Sequence, residues 1–294
     1  MTTTQEPVAV DPGVTQAPGS VLAPPVRSRE RRGPKARVQG MIGPTVVFGV
    51  VIGIWYFVTY VVLEADLRYE FPPPDQVIHD GFINSYNRSQ LLHALLRTAE
   101  VTFVGLAISM VLGTLSAVIM VQAKWLENSL YPWAIMLQTV PVLAIIPLIS
   151  FWFGYGLQSR IIVCVLISFF PIVSNTVFGL QAADRGSHEL FTLHKAGRLT
   201  RLIKLQLPAA LPAMFTGYRV SAGLSVIGAI VGEIYFKQGV AGLGTLFSGY
   251  LARLDFAPLF AGVLLSSLLG IAVFLLFSWL NNLVVGRWYR ANRG

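Results

Sequence analysis

The sequence predicts an all-α, polytopic membrane protein with six transmembrane helices, and three observations predict it. Apolar residues fill 54% of the 294 positions and charged residues only 12%, and the mean hydropathy is +0.63, far above that of a water-soluble domain. Five runs carry no charged residue: Val38 to Leu63, Val101 to Ala123, Asn128 to Ser159, Ile161 to Ala183 and Phe256 to Gly286. A sixth stretch, Leu205 to Gly232, is equally apolar apart from Arg219. Each exceeds the roughly 20 residues of helix that cross a bilayer.

In chain order, residues 1–40 read as a disordered cytoplasmic tail, rich in Thr, Pro, Gly and Val and ending in the basic cluster Arg27, Arg29, Arg31, Arg32, Lys35 and Arg37. A secretory signal peptide is the competing assignment. It is rejected because the tail is long, the apolar stretch outruns an h-region, and no small-x-small cleavage site follows Leu63. Residues 41–63 are the first span. Residues 64–98 form an outer segment in which Phe71-Pro-Pro-Pro74 excludes helix locally, followed by an amphipathic surface helix to Leu96. Residues 99–286 hold spans 2 to 6, and 287–294 are a basic cytoplasmic tail. Small residues recur at intervals of four in span 2 (Gly105, Ser109, Gly113, Ala117), span 5 (Gly217, Ser221, Ser225, Ala229) and span 6 (Gly262, Ser266, Gly270), so these helices should pack closely on others.

The formal charge of +8 does not indicate nucleic acid, because six of the 22 basic residues lie in the N-terminal tail and most others in short loops beside spans, where they orient the chain. With the N-terminus inside, 15 Lys and Arg fall on the cytoplasmic side and 6 outside, so both termini are expected in the cytoplasm. The lone Cys164 allows neither an internal disulfide nor a Cys-based metal site. None of the lysines (35, 124, 195, 204, 237) is followed by Ser or Thr, so no phosphate-binding Gly-x-x-x-x-Gly-Lys-Ser/Thr loop exists. No His-Glu-x-x-His or Gly-x-Ser-x-Gly occurs, and the four His lie outside the spans. The sequence therefore offers no catalytic residue, metal ligand set or cofactor motif.

The longest loop on the cytoplasmic side, 184–207, has Leu190, Leu193, Leu199, Leu202, Ile203 and Leu207 at helical spacing, divided near Gly197 and Arg198. That spacing predicts two short amphipathic helices, and by pattern alone they suit a basic interfacial loop on lipid headgroups. The loop also resembles the EAA loop of binding-protein-dependent ABC import permeases. Glu189, nineteen residues before Pro208, stands at the family's Glu; Leu207-Pro208 matches its end, and Ala209-Ala-Leu-Pro212 is a frequent continuation. Leu190 and Phe191 stand in place of the two alanines, and Lys195 stands at the usual glycine, with Gly197 two residues on. Phe71-Pro-Pro-Pro-Asp-Gln-Val77 and Gln138-Thr-Val-Pro-Val-Leu-Ala-Ile-Ile-Pro-Leu-Ile-Ser-Phe-Trp-Phe-Gly-Tyr-Gly156 resemble the nitrate, sulfonate and taurine-type branch. Within it, Leu193-His-Lys-Ala-Gly197 and Gly223 to Glu233 look most like permeases for riboflavin or the pyrimidine precursor of thiamine.

The resemblance implies a permease core of the MetI-like kind in a bacterial cytoplasmic membrane. It also implies a homodimer, a separate ABC ATPase chain that binds ATP and Mg, and an extracytoplasmic substrate-binding protein. The docking residues it implies are Glu189, His194, Lys195, Ala196, Gly197, Leu207 and Pro208. For the translocation path, intramembrane polar residues are the candidates, since they are costly against lipid: Gln138, Asn175, Arg219 and Ser225. Each has a structural alternative: Gln138 and Asn175 as ties between helices, Ser225 as a packing contact, Arg219 reaching headgroups or broken-helix carbonyls. Glu233 closes span 5, facing either a binding protein or simply water. An ion-driven secondary transporter is the competing class, disfavoured by the absence of a visible inverted repeat or of acids deep in the spans.

Overall fold

The computed structural model describes residues 34–291, with side chains from 43 to 286, and the expected tails at 1–33 and 292–294 lie outside the described residues. Among the described residues the regular structure is all helical. The packing divides the chain at residue 51. Helix α1 (Pro34–Phe57) is continued by a π-turn at Val58–Val62. It begins seven residues before the expected span, because Pro34 suits a first helical turn and nothing to Gly40 breaks a helix. The side chains of residues 43–51 are exposed along this stretch.

Beyond residue 51 the proline segment is held by hydrogen bonds instead of by regular structure. Trp55 Nε1 donates to the Pro72 carbonyl at 3.0 Å, and the Thr59 hydroxyl lies 3.2 Å from the Phe71 carbonyl. Trp55, Phe71 and Phe260 pack ring on ring. Pro73 and Pro74 then start α2 (Pro74–Ile78), which runs into a π-turn at His79–Ile83. The expected surface helix and span 2 are one 37-residue helix, α3 (Ser85–Val121), capped by Asn84. No proline interrupts residues 85–121, so nothing ends the helix at the membrane surface.

The expected third span is broken. Helix α4 (Lys124–Thr139) and α5 (Val142–Phe153) meet at 98°. Pro141 supplies no amide proton and forces Val140 out of the helical region, to ψ 124°. Helix α6 (Leu157–Gln181) follows, then the loop 184–207 with α7 (Arg185–Leu193) and α8 (Arg198–Arg201). A π-turn at Leu202–Gln206 leads without a gap into α9 (Leu207–Tyr235); then come α10 (Leu243–Ala252) and α11 (Phe256–Ala291). Among the described residues, five helical segments are long and apolar enough to span a membrane, or six with the bent α4–α5 pair counted as one span.

Small residues set the core. Cβ atoms added at Gly105 and Gly113 would collide with Cys164 and Ile172, and the Ser109 and Ser168 hydroxyls lie 2.7 Å apart, so α3 and α6 run parallel in fixed register. Helices α6 and α9 run antiparallel: Gly217 abuts Pro171 and Asn175, Ser221 donates to the Ser168 carbonyl, Gly228 abuts Cys164, and Gly232 abuts Arg160. Glycine and serine let the backbones approach where lipid provides no hydrophobic drive between helices. The span 6 stripe does so only in part: Gly262 abuts Phe247, but a Cβ at Gly270 would meet nothing.

Candidate translocation path and coupling surface

Loop 184–207 is held by hydrogen bonds within and between its two helices. Asp184 caps α7 by accepting from the Ser187 amide at 3.2 Å, and Arg201 Nη2 reaches Thr192 Oγ1 at 3.0 Å to tie α8 to α7. The end of α7 is closed by two reverse bonds, Ala196 N to Phe191 O and Lys195 N to Thr192 O, both 2.9 Å. This is a Schellman motif with Lys195 in the left-handed position (φ 51°) that usually belongs to glycine. The dividing turn is thus His194–Gly197, slightly earlier than the spacing predicted. The family glycine replaced by Lys195 turns out to be the one residue of the loop with positive φ.

Among the docking candidates, Glu189, His194, Lys195 and Gly197 are exposed and Ala196 is half-buried. Leu207 is different: it packs against the core beside Leu202 and Ala210, and Pro208 sits in the first turn of α9. The expected lipid-facing side is a strip of exposed Leu190, Leu193, Leu199 and Ile203, with Leu193 at 80% exposure. An apolar strip this open on a stiff helix pair suits a protein groove at least as well as headgroups.

The path candidates separate into two groups. Gln138 and Asn175 line one cavity of about 390 Å³, together with Ser174, Phe170, Pro171 and Leu224. It lies at the α4–α5 break and at the proline of α6. Pro171 has no amide to offer the Ile167 carbonyl, and Pro141 none to Leu137, and both residues belong to the cavity wall. Asn175 Nδ2 donates to the Pro171 carbonyl at 2.8 Å, which turns its amide nitrogen inward on the helix. The wall therefore carries hydrogen-bond acceptors, apolar side chains and no charged residue.

Arg219 and Ser225 do not line this cavity. The Arg219 guanidinium lies 5.2 Å from the Phe274 ring on α11, a cation–π contact. Ser225 is fully buried between α9 and α6, where its hydroxyl donates to Ala222 O at 2.8 Å and its carbonyl faces Cys164 Sγ at 3.3 Å. The Arg219 contact is thus to an aromatic ring and not to broken-helix carbonyls, and Ser225 lies at the contact of α9 with α6.

Two charged residues outside the candidate set organise the junction of α9 and α10. Arg160 is 3% exposed and donates from Nε, Nη1 and Nη2 to the carbonyls of Phe236, Val240 and Gln238 at 2.8, 2.9 and 2.9 Å. Glu233, expected to contact a binding protein or end its span in water, is fully buried. Its Oε2 lies 2.9 Å from the Thr98 hydroxyl and accepts from the Gly244 amide at 2.9 Å, while Oε1 has no partner. Residues 98, 233 and 244 come from α3, α9 and α10, so chain folding alone brings them together. The available signal was Arg160 itself, the single charge between two long uncharged runs. Between α10 and α11, Asp255 is held above its ordinary carboxylate value, first by partial burial and then by the nearby Asp80 carboxylate.

The family model for the binding-protein-dependent transport system inner membrane component matches residues 109–286, more than half of the chain. The chain belongs to this family of ABC importer permeases. It is 33% identical over 242 residues to the formylaminopyrimidine transport permease protein ThiX of Halalkalibacterium halodurans, covering 82% of this chain and 94% of that one. It is 26% identical over 247 residues to the putative aliphatic sulfonates transport permease protein SsuC of Bacillus subtilis, covering 83% and 86%. Among solved structures, an inward-facing MetNI methionine ABC transporter matches with a TM-score of 0.54 at 19% identity, over 66% of this chain and 98% of that one. That likeness concerns the fold, and it agrees with the expected MetI-like core. The permease family membership replaces the ion-driven alternative and makes the chain a transport subunit.

Proposed function

We propose that this permease forms, as a homodimer in a bacterial cytoplasmic membrane with both termini inside, the path for an uncharged, vitamin-type heterocycle such as a thiamine pyrimidine precursor or riboflavin. A substrate-binding protein delivers the solute outside, and a separate ATPase, carrying ATP and Mg, drives the cycle through loop 184–207. The observation that carries the substrate class is the cavity of Gln138, Ser174 and Asn175, whose wall lacks any charged side chain. An acceptor-bearing, partly aromatic pocket suits a planar neutral ring with N–H or O–H donors, and its volume lies within the usual range for small-molecule sites. Similarity to the formylaminopyrimidine permease supports the same class. A sulfonate or nitrate would have to enter without a cation, Arg219 being engaged by Phe274 on α11; the similarity to the sulfonate permease keeps that solute as the second reading.

The coupling surface rests on exposed Glu189 and the stiff α7–α8 pair, which transmits a push as a rigid body where a flexible loop would absorb it. The test is purification of the tagged chain from its native membrane in mild detergent, beside Glu189→Arg, with uptake of labelled formylaminopyrimidine and of taurine in the same cells. An ATPase bound to the wild type and lost from the variant, with pyrimidine uptake, supports both proposals. Taurine uptake without pyrimidine uptake moves the substrate to the sulfonate class.

A further inference from the structure

Both ends of the crossing between α9 and α10 are capped by side chains borrowed from other helices. The N-cap of α10 is Gly242, which has no side chain, so the first free amides are taken from elsewhere: Leu243 N donates to the Thr98 hydroxyl of α3 at 2.9 Å, and Gly244 N donates to Glu233 of α9. At the other end, the Arg160 guanidinium of α6 collects three carbonyls that follow the last turn of α9. Thr245 Oγ1 adds a bond to the Glu233 carbonyl at 3.0 Å, and a Cβ at Gly242 would overlap the Glu233 carboxyl group. Helix α10 has only 10 residues, about half of what a bilayer crossing needs, so it cannot anchor itself across lipid. Its place is set by these caps.

At the opposite end, the helical run Arg198–Tyr235 continues from the cytoplasmic loop to Glu233 without a break, roughly 55 Å at about 1.5 Å per residue. A buried carboxyl group with one oxygen unpartnered is a poor choice for stability alone, since an apolar residue of similar size commonly does as well. We propose that Arg160 and Glu233 are positioning residues of the transport cycle. They fix loop 236–242 and α10 to the outer end of α9 as one body, so that a displacement of α9 begun at loop 184–207 carries the outer segment with it. This rests on the proposed entry of the ATPase drive through that loop.

The test uses the complex purified through a tag on this chain, with spin labels on cysteines replacing exposed Ile227 of α9 and Leu251 of α10. Their separation is read by pulsed electron resonance without nucleotide and with ATP plus vanadate. The same narrow distance is expected in both states. Glu233→Ala and Thr98→Val each remove two buried hydrogen bonds and should each raise the detached, longer-distance population about tenfold or more, whereas Glu233→Gln, which keeps an acceptor, restores the narrow distance. A wild-type distance that shifts between the two states overturns the proposal, as does a Glu233→Ala distribution identical to wild type. If no ATPase accompanies the chain, the coupling reading fails instead, and the same labels on the chain alone in nanodiscs still show whether Glu233→Ala releases α10.

Discussion

Gly228→Ala is the sharpest test of the α6–α9 contact. A Cβ there would stand 2.8 Å from Cys164 Cα and 3.4 Å from the carbonyl oxygens of Val163 and Cys164. Carbon–carbon contacts are comfortable at about 3.5–4.0 Å, so the helices must separate by about 1 Å, and the obstacle is backbone that cannot rotate aside. Overpacking of this kind costs about 1–3 kcal/mol, and the backbone obstacle places it in the upper part of that range. Gly223→Ala on the same helix is the internal control, because its Cβ would meet nothing within 4 Å. Both variants gain the same helix propensity, about 1 kcal/mol over glycine, so their difference isolates the steric cost. At about 2–4 °C per kcal/mol, the purified chain carrying Gly228→Ala should melt roughly 4–12 °C below the one carrying Gly223→Ala when followed by intrinsic fluorescence in detergent. Equal melting temperatures would refute the close α6–α9 approach.

Other outcomes follow from the same contacts. Arg160→Ala strands three carbonyls and should destabilise the chain by about 3 kcal/mol or more in the same melting assay, with Arg160→Lys intermediate, since one ammonium cannot reach all three. Lys195→Gly should leave uptake intact with equal or slightly higher stability, whereas Lys195→Val, a β-branched residue forced to φ 51°, should lower the melting temperature. Gln138→Leu or Asn175→Leu should raise the KM for pyrimidine uptake about tenfold with little change in melting. Asp255→Asn should raise the melting temperature at neutral pH, where the native state disfavours the charged carboxylate. The gain should vanish as pH falls below both the folded and unfolded values of Asp255, where the group is neutral in either state.

The spans were legible in the sequence because lipid tolerates so few charges that uncharged runs mark them directly. The small-residue stripes of α3 and α9 likewise named the faces that pack, for Gly105, Ser109 and Gly113 all meet α6. Residues Gln138 and Asn175 were found by the cost of polar groups in lipid, and folding brings them to one cavity. The same rule selected Arg219 and Ser225, which lie away from that cavity beside Phe274 and Ala222 O; cost alone cannot tell a path residue from a tie. Lys195 was visible only as a departure from the family's glycine, because its left-handed backbone depends on where α7 ends. The Thr98–Glu233 contact joins residues 135 apart, a pairing that no local pattern encodes.

The central claim is that this chain is a permease that moves solute only when a separate ATPase drives it. The most direct measurement is uptake of labelled formylaminopyrimidine by proteoliposomes holding this chain with its co-purified ATPase and binding protein, compared with the chain alone under proton and sodium gradients. Uptake that requires ATP and the ATPase, and that falls with Glu189→Arg, is the predicted result. Gradient-driven uptake by the chain alone would contradict it.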